Sequence, residues 1–300
     1  MKKALKIVGI VLAGLVVVAG GVLVYVFVAF NRMWTRTFDV PKHDITATAD
    51  EVSLAEGRRL LKARACTECH GDDLGGRYFM EEPALGRFYA RNLTTGRGGN
   101  IGAFSDLDLE RAIRHGIRKD NTGLVFMPAD EFWHMSDTDL SKIIQAVRAA
   151  PPVDRDAQPN QFTLLSKGLG VFGVFPLLPA AAIEHEKPHE TPAAEGVSVE
   201  YGKYIAVACA GCHGNSYGGG PIPGAPASMP VPANLTPASD GLGRYDEGQF
   251  IAMIRTGKRP DGTAINEFMP WKVYANMTDT ELKALYMFFN SLPAKPFGSR

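Results

Sequence analysis

No cysteine lies outside Cys66, Cys69, Cys209 and Cys212 in this chain of 300 residues. Net charge is missing too, since 32 basic residues balance 32 acidic ones. There is no basic stripe, and nothing in the charge pattern points to a nucleic-acid partner. Almost no segment alternates as a half-buried strand would, so the expected fold class is all-α. No charged residue occurs between Ile7 and Phe30, and no acidic one before Asp39. Each of these gaps directs attention to what stands beside it.

The four cysteines form two copies of one pattern, Cys66-Thr67-Glu68-Cys69-His70 and Cys209-Ala210-Gly211-Cys212-His213. C-x-x-C-H reads as covalent haem attachment, with two thiols on the porphyrin edge and the adjoining histidine on the iron. Two disulfides or one four-cysteine zinc site would use the same thiols. Neither explains why His follows the second Cys both times. The expected cofactors are therefore two haem c groups, bound through Cys66, Cys69, Cys209 and Cys212, with His70 and His213 as proximal ligands.

The charge-free run extends from Ile7 to Phe30. At 1.5 Å per residue it makes a helix of about 36 Å, enough to cross a hydrocarbon core of about 30 Å. Lys2, Lys3 and Lys6 precede it, which keeps the short N-terminus cytoplasmic and exports the rest. A cleaved signal peptide is the competing reading, with Val18-Ala19-Gly20 offering small residues to a peptidase. The run continues well past the length of a signal-peptide core, which favours an uncleaved anchor over residues 1–36. Export holds on either reading, because covalent haem attachment resembles the chemistry of the bacterial periplasm. Lys2, Lys3, Lys6, Arg32 and Arg36 are five of the 32 basic residues, so the exported part carries 27 positives against 32 negatives. That mild excess would bias encounter towards a partner with a positive docking face.

The chain repeats itself. Asn92-Leu93-Thr94 recurs as Asn234-Leu235-Thr236, and Phe126-Met127-Pro128 recurs at the same offset as Phe268-Met269-Pro270. Met135 to Leu140 recurs at that offset again as Met277 to Leu282, and the two cysteine motifs are set only one position further apart. A repeat of this length is a domain. The expected organisation is a first domain over 50–156, a linker over 157–195 and a second domain over 196–300. In each half a first helix delivers the C-x-x-C-H motif. It runs from Ser53 to Ala65, with Ser53 and Glu56 at capping-box spacing, and its counterpart starts near Ser198. Middle helices open at Ser105 and Asp246 and stop at Gly116 and Gly257. Last helices carry their own boxes, Ser136 with Asp139 and Thr278 with Glu281, and end before Pro151-Pro152 and Pro293. Within the linker, the apolar stretch Gly168–Ile183 is too short for a second span and is broken by Pro176 and Pro179. It is expected to pack across the face between the domains, a shallow dip into the membrane surface being the lesser reading. Glu184–Glu195 reads as an exposed connector.

Each iron has a second axial position. Met127 follows His70 and Met269 follows His213 at distances that differ by a single position, both inside Phe-Met-Pro. A thioether holds ferrous iron well and raises its potential, and the proline stiffens the loop. Methionines are more often plain core residues, but these two recur at matching distance from a haem motif. Met135 and Met277 also repeat, just before helix caps, where an apolar residue acts as a staple. His115 and His134 have no histidine at their repeat positions, and His43, His185 and His189 are expected to be solvated. Asn92 and Asn234 are expected to act structurally near the haem edge.

At these motifs the chain resembles class I cytochromes c, and in particular membrane-anchored dihaem cytochromes built from two such domains. It also looks like the cytochrome subunits of periplasmic alcohol and gluconate dehydrogenases, which commonly carry three haem domains where this chain has two. The resemblance covers about Asp50–Asp156 and Gly196–Pro296. It implies a small helical domain on each haem, His and Met as axial ligands, and one-electron transfer. On that reading the chain is an electron carrier, not an enzyme, on the periplasmic side of a bacterial inner membrane. It would link a dehydrogenase or quinol-oxidising complex to a terminal oxidase or soluble cytochrome. The competing reading is a haem enzyme, such as a dihaem peroxidase or a sulfur-compound dehydrogenase, with one iron open to substrate. A third reading makes it a structural subunit.

Overall fold

A computed structural model describes residues 2–187, 193–223, 225 and 228–300. The chain opens with α1 (Lys2–Thr35), followed by α2 (Glu51–Ala63) and α3 (Cys66–His70). A hairpin of β1 (Arg77–Glu82) and β2 (Gly86–Ala90) comes next. Then come α4 (Asp106–His115), α5 (Ala129–Phe132) and α6 (Asp137–Arg148). A two-residue β3 (Gln161–Phe162) and α7 (Leu164–Val171) lead into the second half. That half comprises α8 (Val199–His213), α9 (Glu247–Thr256), α10 (Trp271–Tyr274) and α11 (Asp279–Ser291).

The expectation of an all-α fold needs one correction. The chain is mostly helical, but β1, β2 and β3 form a three-stranded antiparallel sheet in the first half. The ladder slips between Tyr78 and Met80. Such a bulge erases the two-residue alternation that would have marked the strand. Aromatic residues supply the β preference instead, through Tyr78, Phe79, Phe88 and Tyr89.

Helix starts follow the capping chemistry with one change. Asp50, not Ser53, caps α2, its carboxylate accepting from the Ser53 amide at 2.8 Å, so the helix begins earlier than expected. Glu56 is thereby released to bind Arg59. Ser105 with Asp108, Asp246 with Gln249 and Thr278 with Glu281 form reciprocal boxes. At Ser136 the hydroxyl accepts from Asp139 N at 2.9 Å. Gly116 and Gly257 close α4 and α9 in the left-handed conformation.

Each half has its own apolar cluster, and a third, smaller one gathers Phe38, Val40, Ile117, Leu178 and Ala180. The first gathers Leu60, Leu61, Leu109, Leu140, Ile143 and Ile144. The second gathers Ile205, Phe250, Leu282, Leu285, Phe288 and Phe289. In each half, the first helix crosses the last, α2 on α6 and α8 on α11. The crossings are backbone on backbone. A Cβ on Gly57 would collide with the Lys142 carbonyl, and one on Gly202 with the Ala284 carbonyl.

The apolar linker does not lie between the halves. α7 packs along the end of α1, and the chain after it folds onto the first half. Phe175 stacks near Phe88 and Phe126, and Leu177 O accepts from Phe126 N at 3.2 Å. Phe162 draws this segment to the aromatic end of α1, with ring centroids 5.1 Å from Phe30 and 5.4 Å from Trp34. Part of the connector Glu184–Glu195, residues 188–192 with His189, lies outside the described residues.

Because carbonyl oxygens and not flexible side chains meet Gly57 and Gly202, these sites cannot yield locally. Gly57→Ala or Gly202→Ala should each destabilise the protein by about 1–3 kcal/mol through overpacking. Urea unfolding followed by far-UV circular dichroism measures this, and an unchanged midpoint would mean the crossings are loose.

Candidate functional site

The two C-x-x-C-H motifs reach their positions by different local routes. From Gly57 to Cys66 there are nine residues, and from Gly202 to Cys209 seven. Two extra residues would rotate a continuous helix by about 200°. The first half absorbs them by breaking the helix at Ala65, which takes the left-handed conformation at φ 60°. The second half needs no break, and α8 runs through the motif to His213.

Beyond each histidine the two halves match bond for bond. His70 O accepts from Gly76 N at 2.8 Å, and His213 O from Gly219 N at 2.9 Å. Leu74 O accepts from Leu93 N and Tyr217 O from Leu235 N, both at 2.8 Å. These bonds bring Asn92-Leu93-Thr94 and Asn234-Leu235-Thr236 behind the histidines. There His70 Nδ1 lies 2.8 Å from Arg91 O, and His213 Nδ1 lies 2.7 Å from Ala233 O. A carbonyl only accepts, so Nδ1 carries the proton and Nε2 keeps its lone pair. Burial holds both imidazoles below their ordinary pKa and so neutral. A neutral ring with its second nitrogen tied to the backbone is an oriented metal ligand.

Asn92 and Asn234 have the structural task expected of them. Each carboxamide oxygen accepts from the amide and hydroxyl of the threonine two residues on, at 2.9 and 2.8 Å. Each Nδ2 donates to the segment after the last helix, to Val153 O at 2.7 Å and Lys295 O at 2.8 Å. The carbonyl that orients each histidine is thus stapled to the end of its own half.

Met127 and Cys66 border the first apolar cluster, and Met269 and Cys209 the second. Each half thereby brings one thiol of its motif and its thioether to one apolar body. Met135 and Met277 are buried inside the clusters, as staples would be. The surroundings of the two methionine loops differ. Phe126 has ring neighbours Phe79, Phe88 and Phe175 at 5.9, 4.7 and 4.8 Å. Phe268 is 45% exposed, and its loop is held by the Asn266 side chain accepting from Phe268 N at 2.9 Å.

All four thiols are unbonded, and burial pushes Cys66 and Cys209 up to about 12. Among the described residues no three His, Cys, Asp or Glu side chains are placed to share a metal ion, which removes the four-cysteine zinc reading. Protonated, paired thiols at the mouth of an apolar body, beside an imidazole with a free Nε2, fit haem c.

Among the described residues, histidines outside the motifs have partners of their own. His185, expected to be solvated, instead sets Nδ1 2.9 Å from His115 Nδ1 and Nε2 3.0 Å from Ala180 O. His43 lies 3.0 Å from the Asp137 carboxylate. Connector position alone gave no sign of either pairing.

The halves meet through reciprocal contacts that no motif announced. Arg59, on α2, donates to Glu281 at the start of α11 at 2.7 and 3.0 Å, and to Asn276 O at 3.0 Å. Tyr204, which holds the corresponding place on α8, donates to Asp139 at the start of α6 at 2.6 Å and accepts from Ser136 N. Glu281 and Asp139 are visible in the sequence only as cap residues. A cavity of about 50 Å³ lies at this interface, with Ala65 and Ala208, the residues next to the first cysteines, both in its wall.

Residues 199–293 match the cytochrome c family. The chain contains a cytochrome c domain. The domain's relatives extend the likeness over most of the chain. The fructose dehydrogenase cytochrome subunit of Gluconobacter japonicus is 25% identical over 286 residues, covering 85% of this chain and 56% of that protein. The cytochrome c subunit of the quinone alcohol dehydrogenase of Gluconobacter oxydans is 26% identical over 278 residues, covering 83% and 57%. A dihaem c-type cytochrome of Cereibacter sphaeroides is 22% identical over 270 residues, covering 80% and 86%. The chain therefore spans a little over half the length of the two dehydrogenase subunits.

Towards the cytochrome c domain, the side chain of Glu131 reaches across from α5 of the first half. Its Oε1 lies 2.8 Å from where a Cβ on Gly211 would stand. Burial first, and the neighbouring Asp130 second, push its carboxyl from 4.5 up to about 7. Between those two values the folded chain holds a proton that the unfolded chain has released. The Glu131 contribution to stability therefore falls as pH rises through that window and levels off above it. Urea midpoints across the window should decline more steeply in the native protein than in Glu131→Gln; parallel curves would show that the carboxyl is solvated.

Proposed function

We propose that this protein is a dihaem c-type electron carrier, with a haem c on each of two cytochrome c domains, 50–156 and 196–300. The observation that carries this reading is the duplicated ligand set. In both halves the first cysteine of the motif and the methionine of the Phe-Met-Pro loop border one apolar cluster, and the motif's histidine is held by a backbone carbonyl at Nδ1 with Nε2 left for a ligand. Cys66 with Cys69 and Cys209 with Cys212 would hold the porphyrin edges. His70 with Met127 and His213 with Met269 would take the axial positions. When bound, haem c supplies a one-electron couple whose potential a thioether ligand raises.

The chain's own contribution is placement. The Arg91 and Ala233 carbonyls orient the imidazoles, and Asn92 and Asn234 fix those carbonyls. The Arg59–Glu281 and Tyr204–Asp139 contacts set one half against the other, with both cysteine motifs beside the shared cavity. An electron arriving at one domain can then leave from the other without the domains having to find each other by diffusion. If a histidine and a methionine both held each iron, no position would be left for substrate, and the chain would serve as a carrier and not as an enzyme.

Among the described residues α1 is the single helix long and apolar enough to cross a membrane. Residues 1–36 would tether the carrier to a bacterial inner membrane with its haems on the periplasmic side, raising its effective concentration at membrane-bound partners. The relatives named as dehydrogenase cytochrome subunits support a periplasmic dehydrogenase as donor, with a quinol-oxidising complex as the other candidate. The acceptor would be a terminal oxidase or a soluble cytochrome.

The full-length protein should contain two haem c per chain by pyridine haemochrome assay. Both should be low-spin in ferric and ferrous states and should not bind carbon monoxide. A high-spin ferric haem in the intact protein would overturn the carrier reading in favour of an enzyme with one open iron. Met127→Ala and Met269→Ala should each open one haem to carbon monoxide and lower its potential; if Met135→Ala did so instead, the ligand assignment would fail. The packed Phe126 and the exposed Phe268 give a further expectation. Imidazole should displace Met269 at concentrations roughly tenfold below those that displace Met127, a difference of about 1.4 kcal/mol in loop stability. Spectral titration with imidazole reads this out, and simultaneous displacement would contradict it.

A further inference from the structure

We propose that the segment Leu164–Val174 is a second membrane contact, seated in the boundary between lipid headgroups and acyl chains beside the transmembrane helix. This rests on the reading of α1 as a span. The segment has an inner and an outer side. Inward, Ser166 and Gly170 are buried, Gly170 so close to Leu177 that a Cβ there would collide with its side chain. Outward, Leu164, Leu165, Phe172 and Val174 are 59, 52, 62 and 46% exposed. A Cβ on Gly168 or Gly173 would meet nothing within 4 Å, so among the described residues none covers this side. Clustered apolar exposure of this kind marks a surface made for contact.

The occupant follows from what the patch adjoins. α7 packs along α1; the Phe172 ring lies 6.3 Å from that of Tyr25, and Lys167 Nζ lies 5.8 and 5.2 Å from the rings of Phe27 and Phe30. The exposed face of α1 beside it, with Val24, Tyr25 and Val28, is part of the apolar run that ends at Phe30. The two surfaces are continuous, so a lipid that covers one meets the other. Phe172 stands level with Tyr25, five residues inside the end of that run. That is about 7.5 Å of depth at 1.5 Å per residue, within the roughly 5–10 Å to which interfacial helices sink.

The chemistry of the rim agrees. Lys167 is the lone charged residue between Leu164 and Ile183, and no acid is present there to oppose an anionic bilayer. Its ammonium lies over the Phe27 and Phe30 rings, a cation–π contact that joins the rim of the patch to α1. Tyr25 and Trp34 border the same region, as aromatic residues do at a membrane interface. Through Phe175 and Leu177 this contact is joined to the Phe126-Met127 loop. The second contact would therefore add to the hold on the first half that Phe38 and Val40, buried just after α1, already provide.

The test uses the full-length holoprotein in nanodiscs of phosphatidylethanolamine and phosphatidylglycerol. Nitroxides are placed at Phe172→Cys and Leu165→Cys, with Val16→Cys in the span and Val52→Cys on α2 as references. Electron paramagnetic resonance then compares accessibility to oxygen and to a water-soluble nickel chelate. Labels at 172 and 165 should favour oxygen over nickel several-fold relative to 52, approaching the label at 16. Nickel accessibility equal to that at 52, with 16 protected, overturns the proposal and leaves the span standing. Nickel access at 16 overturns both. Labels at 172 and 165 shielded from both reagents would mean that protein covers the patch, which also overturns a lipid contact.

Discussion

Each half of this molecule depends on a crossing of two helices at which no side chain fits. At Gly57 and Gly202 the first helix lies directly on the backbone of the last. This close approach lets the cysteine motif at the end of the first helix and the segment beyond the last helix be reached by the same loop. Asn92 and Asn234 then tie that loop to Val153 and Lys295, and the loop's carbonyls hold the histidines. A wider crossing would separate the parts of that chain of bonds. Ligand orientation is thus a consequence of packing two helices at minimum distance.

The same scaffold, used twice, is also used against itself. Arg59 and Tyr204 occupy corresponding places and reach for corresponding acids, Glu281 and Asp139. The interface is pseudo-symmetric in position but not in chemistry. One side is a two-pronged charge pair on a buried carboxylate, and the other a phenol donating to a carboxylate. The charged side is also bound to its capping box, since Glu281 accepts from Thr278 N at 2.6 Å while it pairs with Arg59. Helix start and domain contact therefore stand or fall together on that side. The first half further differs in its hairpin and in the linker folded against it, which enclose Phe126 and leave Phe268 without an equivalent cover.

Much of this could be read from residues alone, for identifiable reasons. C-x-x-C-H, the caps at Ser105, Asp246 and Thr278, and the glycine stops at Gly116 and Gly257 are local, each written within a few consecutive residues. Duplication made Met127 and Met269 stand out from the other methionines, because a loop residue repeated at constant distance from a motif is more than core filling. The strands were illegible because a bulge at Tyr78–Met80 removes the alternation by which strands are recognised. Arg91 and Ala233 act through backbone carbonyls, so their side chains carry no signal. Gly57 and Gly202 sit inside helices, where a glycine reads as a small penalty until its partner is known.

What the sequence by itself determined is the inventory: two C-x-x-C-H motifs, their repeat, the Phe-Met-Pro loops, a charge-free N-terminal run and most helices with their ends. These follow from short-range rules of chemistry and spacing. What only the tertiary structure decided is which groups face each other. The linker turned to α1 and the first half, where Phe30, Trp34, Phe88 and Phe126 present their rings to Phe162 and Phe175. Asp139 and Glu281 became interface residues as well as cap residues, and Glu131 came to lie against the other half's cysteine motif. Such pairings are absent from any local pattern, because they join residues up to 222 positions apart and exist only once both surfaces have formed.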